Sequence, residues 1–348
     1  MRSGVAAGHG RARNAAKTPW RIRLVLAGDT MLGRGVAEHL ATHPPSSLVA
    51  PEVVAIAREG NVVLLNLECC ISERGQRWDA PFKPFFFRAP PQATEVLTTL
   101  GATCVTLGNN HALDYGYEAL EDTFDYLDAA GVAWVGAGPD LQRARAPVVL
   151  DVGSVHLAVA GVTDHPADYA AQPARAGVAY ADLHLGVPQW LQDVAGSAGA
   201  TATSDAPDAV VLLPHWGPNM VDQPVPHVRR AAASLVEAGA TLVAGHSAHV
   251  FHGVSGRVVY DLGDFLDDYT TDPMLRNDLG LLWLVDIDAA GPQHLEAVPL
   301  ELGYCHTGLA SAEDAAWIAA RFRSACAALG TEVSTESDRL VIDWPIRG

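Results

Sequence analysis

Arg21 to Ala27 reads RIRLVLA and runs straight into Gly28 and Asp29. The stretch alternates, then turns continuously apolar, which is the pattern of a buried strand stopping at a polar turn. The next strong segments repeat this form. Helical spacing covers Val36 to Arg58, and NVVLLNLE (61–68) is a second strand ending on polar residues. Strand, helix and strand in this order predict a layered α/β core that begins near Trp20.

The rhythm continues outward. ATCVTL (102–107) leads into Gly108, Asn109, Asn110 and His111, then a helix over 117–130 and a short strand over 132–135. Further strands are expected over 155–162, 209–213, 241–244, 258–261 and 281–287. Residues 164–207, rich in Ala, Gly, Pro and Ser, read as an insertion with a helix over 188–194. An amphipathic helix over 311–329 precedes a last strand over 340–344. In open α/β sheets, loops at strand C-termini converge on one crevice, so the polar clusters there become the candidate site.

Composition narrows the function classes. The 348 residues, 49% of them hydrophobic, hold enough apolar material for a large core, with residues 1–19 read as a flexible leader and 20–348 as one catalytic domain. Lys plus Arg total 23 against 40 acidic residues, and a net charge of −17 opposes nucleic acid and anionic membranes as partners. Five cysteines without paired spacing, no signal-type apolar stretch and no membrane-length run lead to an expected cytoplasmic location.

Six clusters carry the candidate chemistry: Gly28 with Asp29, Asn66 with Glu68, Asn109 to His111 with Asp114, His215 to Gly217, His246 with His249, and Asp261 with Asp264. One Asp after a strand is an ordinary cap. Carboxylates and imidazoles recurring after successive strands suit a metal centre instead. His246 and His249 would point to opposite faces of a regular strand, so a turn must bring both rings into the crevice.

These clusters resemble the CapA family, named for poly-γ-glutamate capsule synthesis, within the calcineurin-like metallophosphoesterase superfamily. The matching pieces are GDTMLGRGV (28–36), NLECCIS (66–72), FFFRAP (85–90), LGNNHALDYG (107–116), PHWG (214–217), GHSAHVFHG (245–253) and YDLGDF (260–265). The resemblance implies a four-layer α/β/β/α sandwich. It also implies metal ligands at Asp29, Glu68, Asn110, His215, His246 and His249, with His111 as a proton donor oriented by Asp114.

Two departures matter. Phosphoesterases have Asp-x-His after the first strand, whereas this chain has Asp29, Thr30 and Met31, one imidazole short of a two-metal hydrolytic centre. The CapA pattern has serine and asparagine where Asp261 and Asp264 stand. These carboxylates either add oxygen ligands, favouring Ca²⁺, Mn²⁺ or Mg²⁺ over Zn²⁺ or Fe, or cap the following turn.

A metal flanked by two His/Asp pairs suits proton transfer at carbon. CapA-like proteins include lasso-peptide epimerases of the MslH type, which this chain resembles in length and residue usage. The expected activity is inversion of the C-terminal residue of a ribosomal precursor peptide. His111 with Asp114 would form one pair, and His215, His246 or His249 beside Asp264 the other. A pocket for an apolar side chain would draw on Trp78, Phe85 to Phe87 and Trp216. The alternatives are a phosphoesterase or capsule-polymer enzyme, and a binding protein without turnover.

Overall fold

The structure, a computed structural model, describes residues 19–81, 83–198 and 206–344. Of the leader expected over 1–19, all but Pro19 lies outside the described residues.

Strand β1 (Arg21–Thr30) is buried on both faces. Leu24 and Leu26 enter one apolar cluster and Val25 and Ala27 another, because successive side chains of a strand point to opposite sides. Strand β2 (Val62–Leu67) divides in the same way, with Leu64 on one side and Val63 and Leu65 on the other. The two strands pair in parallel, Leu26 lying opposite Leu64.

The first sheet runs, in spatial order, Ser334–Glu336, Arg339–Asp343, Gly291–Gly303, Leu279–Asp288, β1, β2, β3 (Cys104–Thr106) and Ala133–Val135. The second runs Val254–Ser255, Val258–Val259, β6 (Leu242–Ala244), β5 (Ala209–His215), β4 (Val155–Thr163) and Val148–Val152. Leu157, Val211 and Leu242 of the second sheet meet Leu24, Leu64 and Trp283 of the first in one cluster between the sheets. Helices Arg34–Leu40, Pro51–Ala57, Ala93–Leu100 and Gly116–Ala129 cover the outer face of the first sheet. Gln189–Ala195 and Pro226–Ala238 cover the second. This is the four-layer α/β/β/α sandwich. Helix Ala312–Ala327 closes the rim of the central layer, where Phe322 meets Trp283 edge-on at 5.3 Å.

At its end β1 changes neighbour. Arg21 to Leu26 pair antiparallel with Leu279–Asp288, but Asp29 and Thr30 pair in parallel with the short strand β7 (Asp264–Leu266). Gly28 permits the exchange: a Cβ there would lie 1.8 Å from the Gly263 carbonyl oxygen, so no other residue fits.

Three expectations need correction. The helix read over 36–58 is two helices, Arg34–Leu40 and Pro51–Ala57, joined by a single turn at Pro45–Ser47; Pro44 and Pro45 break the hydrogen-bond ladder, and Pro51 starts the next helix. The strand read over 258–261 stops at Val259, and β7 was missed. The 13-residue strand Gly291–Gly303 was also missed, since Pro292, Pro299 and scattered charges obscure its alternation. Elsewhere the boundaries shift by one or two residues, except that β1 runs three residues past Ala27, through the expected turn at Gly28 and Asp29 to Thr30, and that helix Ala93–Leu100 and strand Val148–Val152 fall in stretches read as having no element. All five cysteines are buried and unpaired, and no helix among the described residues is long and apolar enough to cross a membrane.

The first sheet carries one polar knot. Asp286 receives Arg23 Nε at 2.8 Å and Arg21 Nη2 at 2.8 Å, while Arg23 Nη2 also reaches Glu296 at 2.8 Å. Burial opposes ionisation of Asp286, yet the two guanidinium groups hold its carboxyl below the ordinary range. A depressed native pKa stabilises the fold above the unfolded pKa and loses that contribution as pH falls through the native value. Asp286→Asn is therefore expected to cost on the order of 1–2 kcal/mol in urea unfolding at pH 7, and the deficit should shrink as pH falls through the depressed native pKa of Asp286. A deficit independent of pH would place the loss in packing rather than charge.

Candidate metal centre and acid–base pairs

The site forms where strand ends of both sheets converge. Sheet one delivers Asp29 from β1, Glu68 just past β2, Asn109 to His111 past β3, and Asp264 at the start of β7. Sheet two delivers His215 at the end of β5 and the segment 246–249 beyond β6. Ser247 (φ 108°) and His249 (φ 60°) adopt left-handed backbone, producing the turn that the three-residue spacing requires. Both rings consequently face Asp29: His246 Nδ1 lies 3.0 Å from Oδ1, and His249 Nδ1 lies 3.5 Å from Oδ2.

Asp29, Glu68, His249 and Asp264 each offer a ligand atom within 4.8 Å of the others, and all four are buried. The strongest sign of a cation site is what these groups lack. Both Glu68 oxygens, Asn110 Oδ1, His215 Nε2, His246 Nε2 and Asp264 Oδ2 are buried without a hydrogen-bond partner. Buried polar atoms are rarely left unsatisfied, and those of Glu68, His215, His246 and Asp264 belong to residues gathered at one centre, with Asn110 preceding His111 in the chain. The donor set fits a divalent ion, with Asp29, Glu68, Asp264 and Asn110 offering oxygen and His215 and His246 nitrogen, while His249, expected as a ligand, has its Nδ1 against Asp264 and is left for acid–base work.

The electrostatics agree. Burial, reinforced by the Asp29 charge, drives Glu68 well above the ordinary carboxylate range. Burial opposes ionisation of Asp29 as well, but the His246 hydrogen bond and neighbouring imidazoles hold it low. Burial pushes His215 well below the ordinary imidazole value, leaving a neutral ring suited to coordination.

Two His/Asp pairs flank this centre. His111 Nδ1 lies 2.6 Å from Asp114 Oδ2, and Asp114 is fixed by the Phe87 amide at 2.6 Å, Tyr169 hydroxyl at 3.0 Å and Lys83 at 3.0 Å. His249 Nδ1 lies 2.9 Å from Asp264 Oδ1, and Asn219 Nδ2 contacts its Nε2 at 3.2 Å. Burial pushes His111 down to about 4 against the pull of Asp114. For His249, burial loses to Asp264, Glu68 and Asp29, which push it well above the ordinary value. Both imidazoles line a cavity of about 290 Å³.

Asp261 is a turn cap: its two oxygens accept the Ala248 and Gly263 amides, each at 2.9 Å. Asp264 is the carboxylate that enters the site. Met31 is fully buried in the apolar core, with its sulfur accepting the Gly33 amide, so position 31 offers the site no ligand. Of the expected aromatic wall, Phe85 and Phe87 line the cavity. Trp216 instead packs in the outer core and donates to the Tyr260 carbonyl, and Trp78 bonds Asp168.

Sequence reading undervalued the asparagines. Asn66 Nδ2 donates to Asp29 Oδ1 at 2.8 Å, Asn109 Nδ2 donates to Asn66 Oδ1 at 2.8 Å, and Asn109 Oδ1 accepts the His111 amide at 2.9 Å. This relay locks β1, β2 and the His111 loop together. Asn219, Arg34 and Tyr269, also on the cavity wall, carried no motif signal beyond the Arg within GDTMLGRGV.

Titrating Mn²⁺ or Ca²⁺ into chelator-treated protein should raise its melting temperature, by the equivalent of about 2.7 kcal/mol at 100-fold excess over Kd. Asp29→Asn and Glu68→Gln should abolish the shift, and Asn66→Ala, acting through Asp29, should weaken binding about 10- to 100-fold. Unchanged uptake by both ligand variants would put the ion elsewhere.

Comparison with known proteins fits this architecture. The profile of the bacterial capsule synthesis protein PGA_cap matches residues 23–269. A probable polyglutamine synthesis accessory protein of Mycobacterium tuberculosis is 29% identical over 383 aligned positions, covering 94% of this chain and 97% of that protein. The PGA biosynthesis protein CapA of Bacillus subtilis is 28% identical over 247 positions, 69% of this chain and 62% of that protein. Among solved structures, a phosphatase of Mycoplasma pneumoniae shares 10% identity at a TM-score of 0.46, covering 82% of this chain and 95% of its own, too distant to bear on activity. With more than half its length matched and the motif residues gathered at one centre, the chain belongs to the bacterial capsule synthesis protein (PGA_cap, or CapA) family.

Proposed function

We propose that this protein is a metal-dependent peptide epimerase, inverting the α-carbon of the C-terminal residue of a ribosomal precursor peptide, with an aromatic residue such as tryptophan suited to the Phe-lined cavity. The observation that carries the reading is the pair of oriented imidazoles, His111 on Asp114 and His249 on Asp264, opening into one cavity. Epimerisation needs a base and an acid on opposite faces of a carbon. With Nδ1–H held by Asp114, His111 presents Nε2 to take the Cα proton, and the C–H electron pair moves into the adjacent carbonyl. Protonated His249, oriented by Asp264, returns a proton from the other side. A divalent ion held by Asp29, Glu68, Asn110, His215 and His246, with Ca²⁺, Mn²⁺ or Mg²⁺ matching the oxygen-rich set, would supply positive charge beside that carbonyl.

Family membership favours a second reading, work on a capsule polymer or hydrolysis of a phosphoester. Two features of the chain oppose it. Met31 removes a ligand from a two-metal centre, and a net charge of −17 repels poly-γ-glutamate.

Incubation with a co-encoded precursor peptide in D₂O separates the readings. Metal-dependent deuterium uptake with inversion at the terminal residue is expected, falling at least about 100-fold in His111→Ala and in Asp264→Ala. Phosphate release from a generic phosphoester, or cleavage of poly-γ-glutamate, without any deuterium uptake would return the protein to hydrolytic chemistry.

A further inference from the structure

Arg34 is the one arginine or lysine among the described residues lining the cavity shared by His111 and His249. Its guanidinium carbon lies over Phe85 at 5.2 Å, Phe87 at 5.4 Å and Tyr269 at 5.6 Å, at the junction of the aromatic wall and the acid–base pairs. Phe87 stacks on His111 at 3.9 Å and Tyr269 meets His249 edge-on at 5.3 Å, so the same rings that hold Arg34 touch both imidazoles.

The backbone is built around this placement. Arg34 has φ 46°, a left-handed conformation that non-glycine residues adopt at a cost. Glycines enclose it for steric reasons. A Cβ on Gly33 would lie 2.8 Å from the Arg88 nitrogen, and one on Gly35 would lie 2.4 Å from the Tyr304 hydroxyl and 2.9 Å from Asp268 Oδ2. The Gly35 amide donates to Asp268 Oδ2 at 2.8 Å, Arg34 Nε donates to the same oxygen at 3.1 Å, and Arg34 Nη2 forms an ion pair with Oδ1 at 2.7 Å. Asp268 thus fixes one edge of the guanidinium, and Nη1 has no hydrogen-bond partner among the described residues.

A fixed guanidinium on an aromatic wall, beside two acid–base groups, is a receptor for a planar anion attached to an apolar side chain. Resting on the epimerase reading for the identity of that anion, we propose that Arg34 binds the free C-terminal carboxylate of the substrate peptide and so restricts the reaction to the terminal residue. A carboxylate held there places the adjoining α-carbon within the cavity that His111 and His249 share. The apolar surface around Arg34 favours a carboxylate carrying a side chain over a bare phosphate.

The test uses N-acetyl-L-phenylalanine and its primary amide as probes, titrated calorimetrically into the full-length protein with and without chelator. The acid should bind more tightly than the amide in both conditions. Arg34→Gln should lower acid affinity about 10- to 100-fold, to the level of the amide, and Arg34→Lys should fall between. If the single variant fails to fold because Asp268 is left unpaired, Arg34→Gln combined with Asp268→Asn removes both charges and should show the same loss of preference. Equal binding of acid and amide by the wild type, or a preference that survives the substitution, overturns the proposal. So does a preference abolished by chelator, since the ion alone, without Arg34, would then account for carboxylate binding, or tighter binding of inorganic phosphate than of the acid. The epimerase reading fails separately: a protein that prefers the acid through Arg34 yet takes up no deuterium has the anion site without the carbon chemistry.

Discussion

The site depends on a contact between two backbones that have no side chains at that point. Gly28 passes so close to Gly263 that the Asp29 amide donates to the Gly263 carbonyl at 2.9 Å. That contact lets β1 leave its antiparallel neighbour and take β7 as a parallel one, setting Asp29 opposite Asp264. Any side chain at position 28 would separate the strands and with them the two carboxylates.

Bringing Asp29, Glu68 and Asp264 together in a buried space creates an electrostatic problem. Like charges at this separation in low dielectric cannot all remain ionised unless protons or cations compensate. Imidazoles from the other sheet supply part of the answer: His246 bonds Asp29, and His249 sits between Asp29 and Asp264. Glu68 is left with neither oxygen bonded, which is the arrangement a divalent ion relieves. Folding energy of the two apolar layers is what holds these groups against their mutual repulsion, so binding an ion should stabilise the fold as well as prepare the chemistry.

The same geometry assigns different duties to similar residues. Asp114 and Asp264 both orient an imidazole through Nδ1, but Asp114 is saturated by Phe87, Tyr169 and Lys83, whereas Asp264 keeps one oxygen free. His111 therefore rests on a carboxylate whose partners are all supplied by protein, and His249 on one shared with the ion site. Asp261, one turn away, spends both oxygens on backbone amides and contributes only shape.

The sequence by itself determined the layered α/β class, the strands read within 21–27, 61–68 and 102–107, and the residue types gathered at their ends, because apolar periodicity and polar strand termini are local properties. It also separated Asp29, Glu68, His111, His215, His246 and His249 from ordinary polar residues by their recurrence after successive strands. Other features were invisible in one dimension. β7 and the strand Gly291–Gly303 exist because neighbours complete their hydrogen bonds, overriding Gly and Pro in their local pattern. The asparagine relay, the choice of Asp264 over Asp261, the core position of Trp216 and the placement of Arg34 depend on which strand end lies against which. Only packing two sheets face to face sets those distances, since groups that meet lie more than 200 residues apart in the chain, His246 and Asp29 by 217.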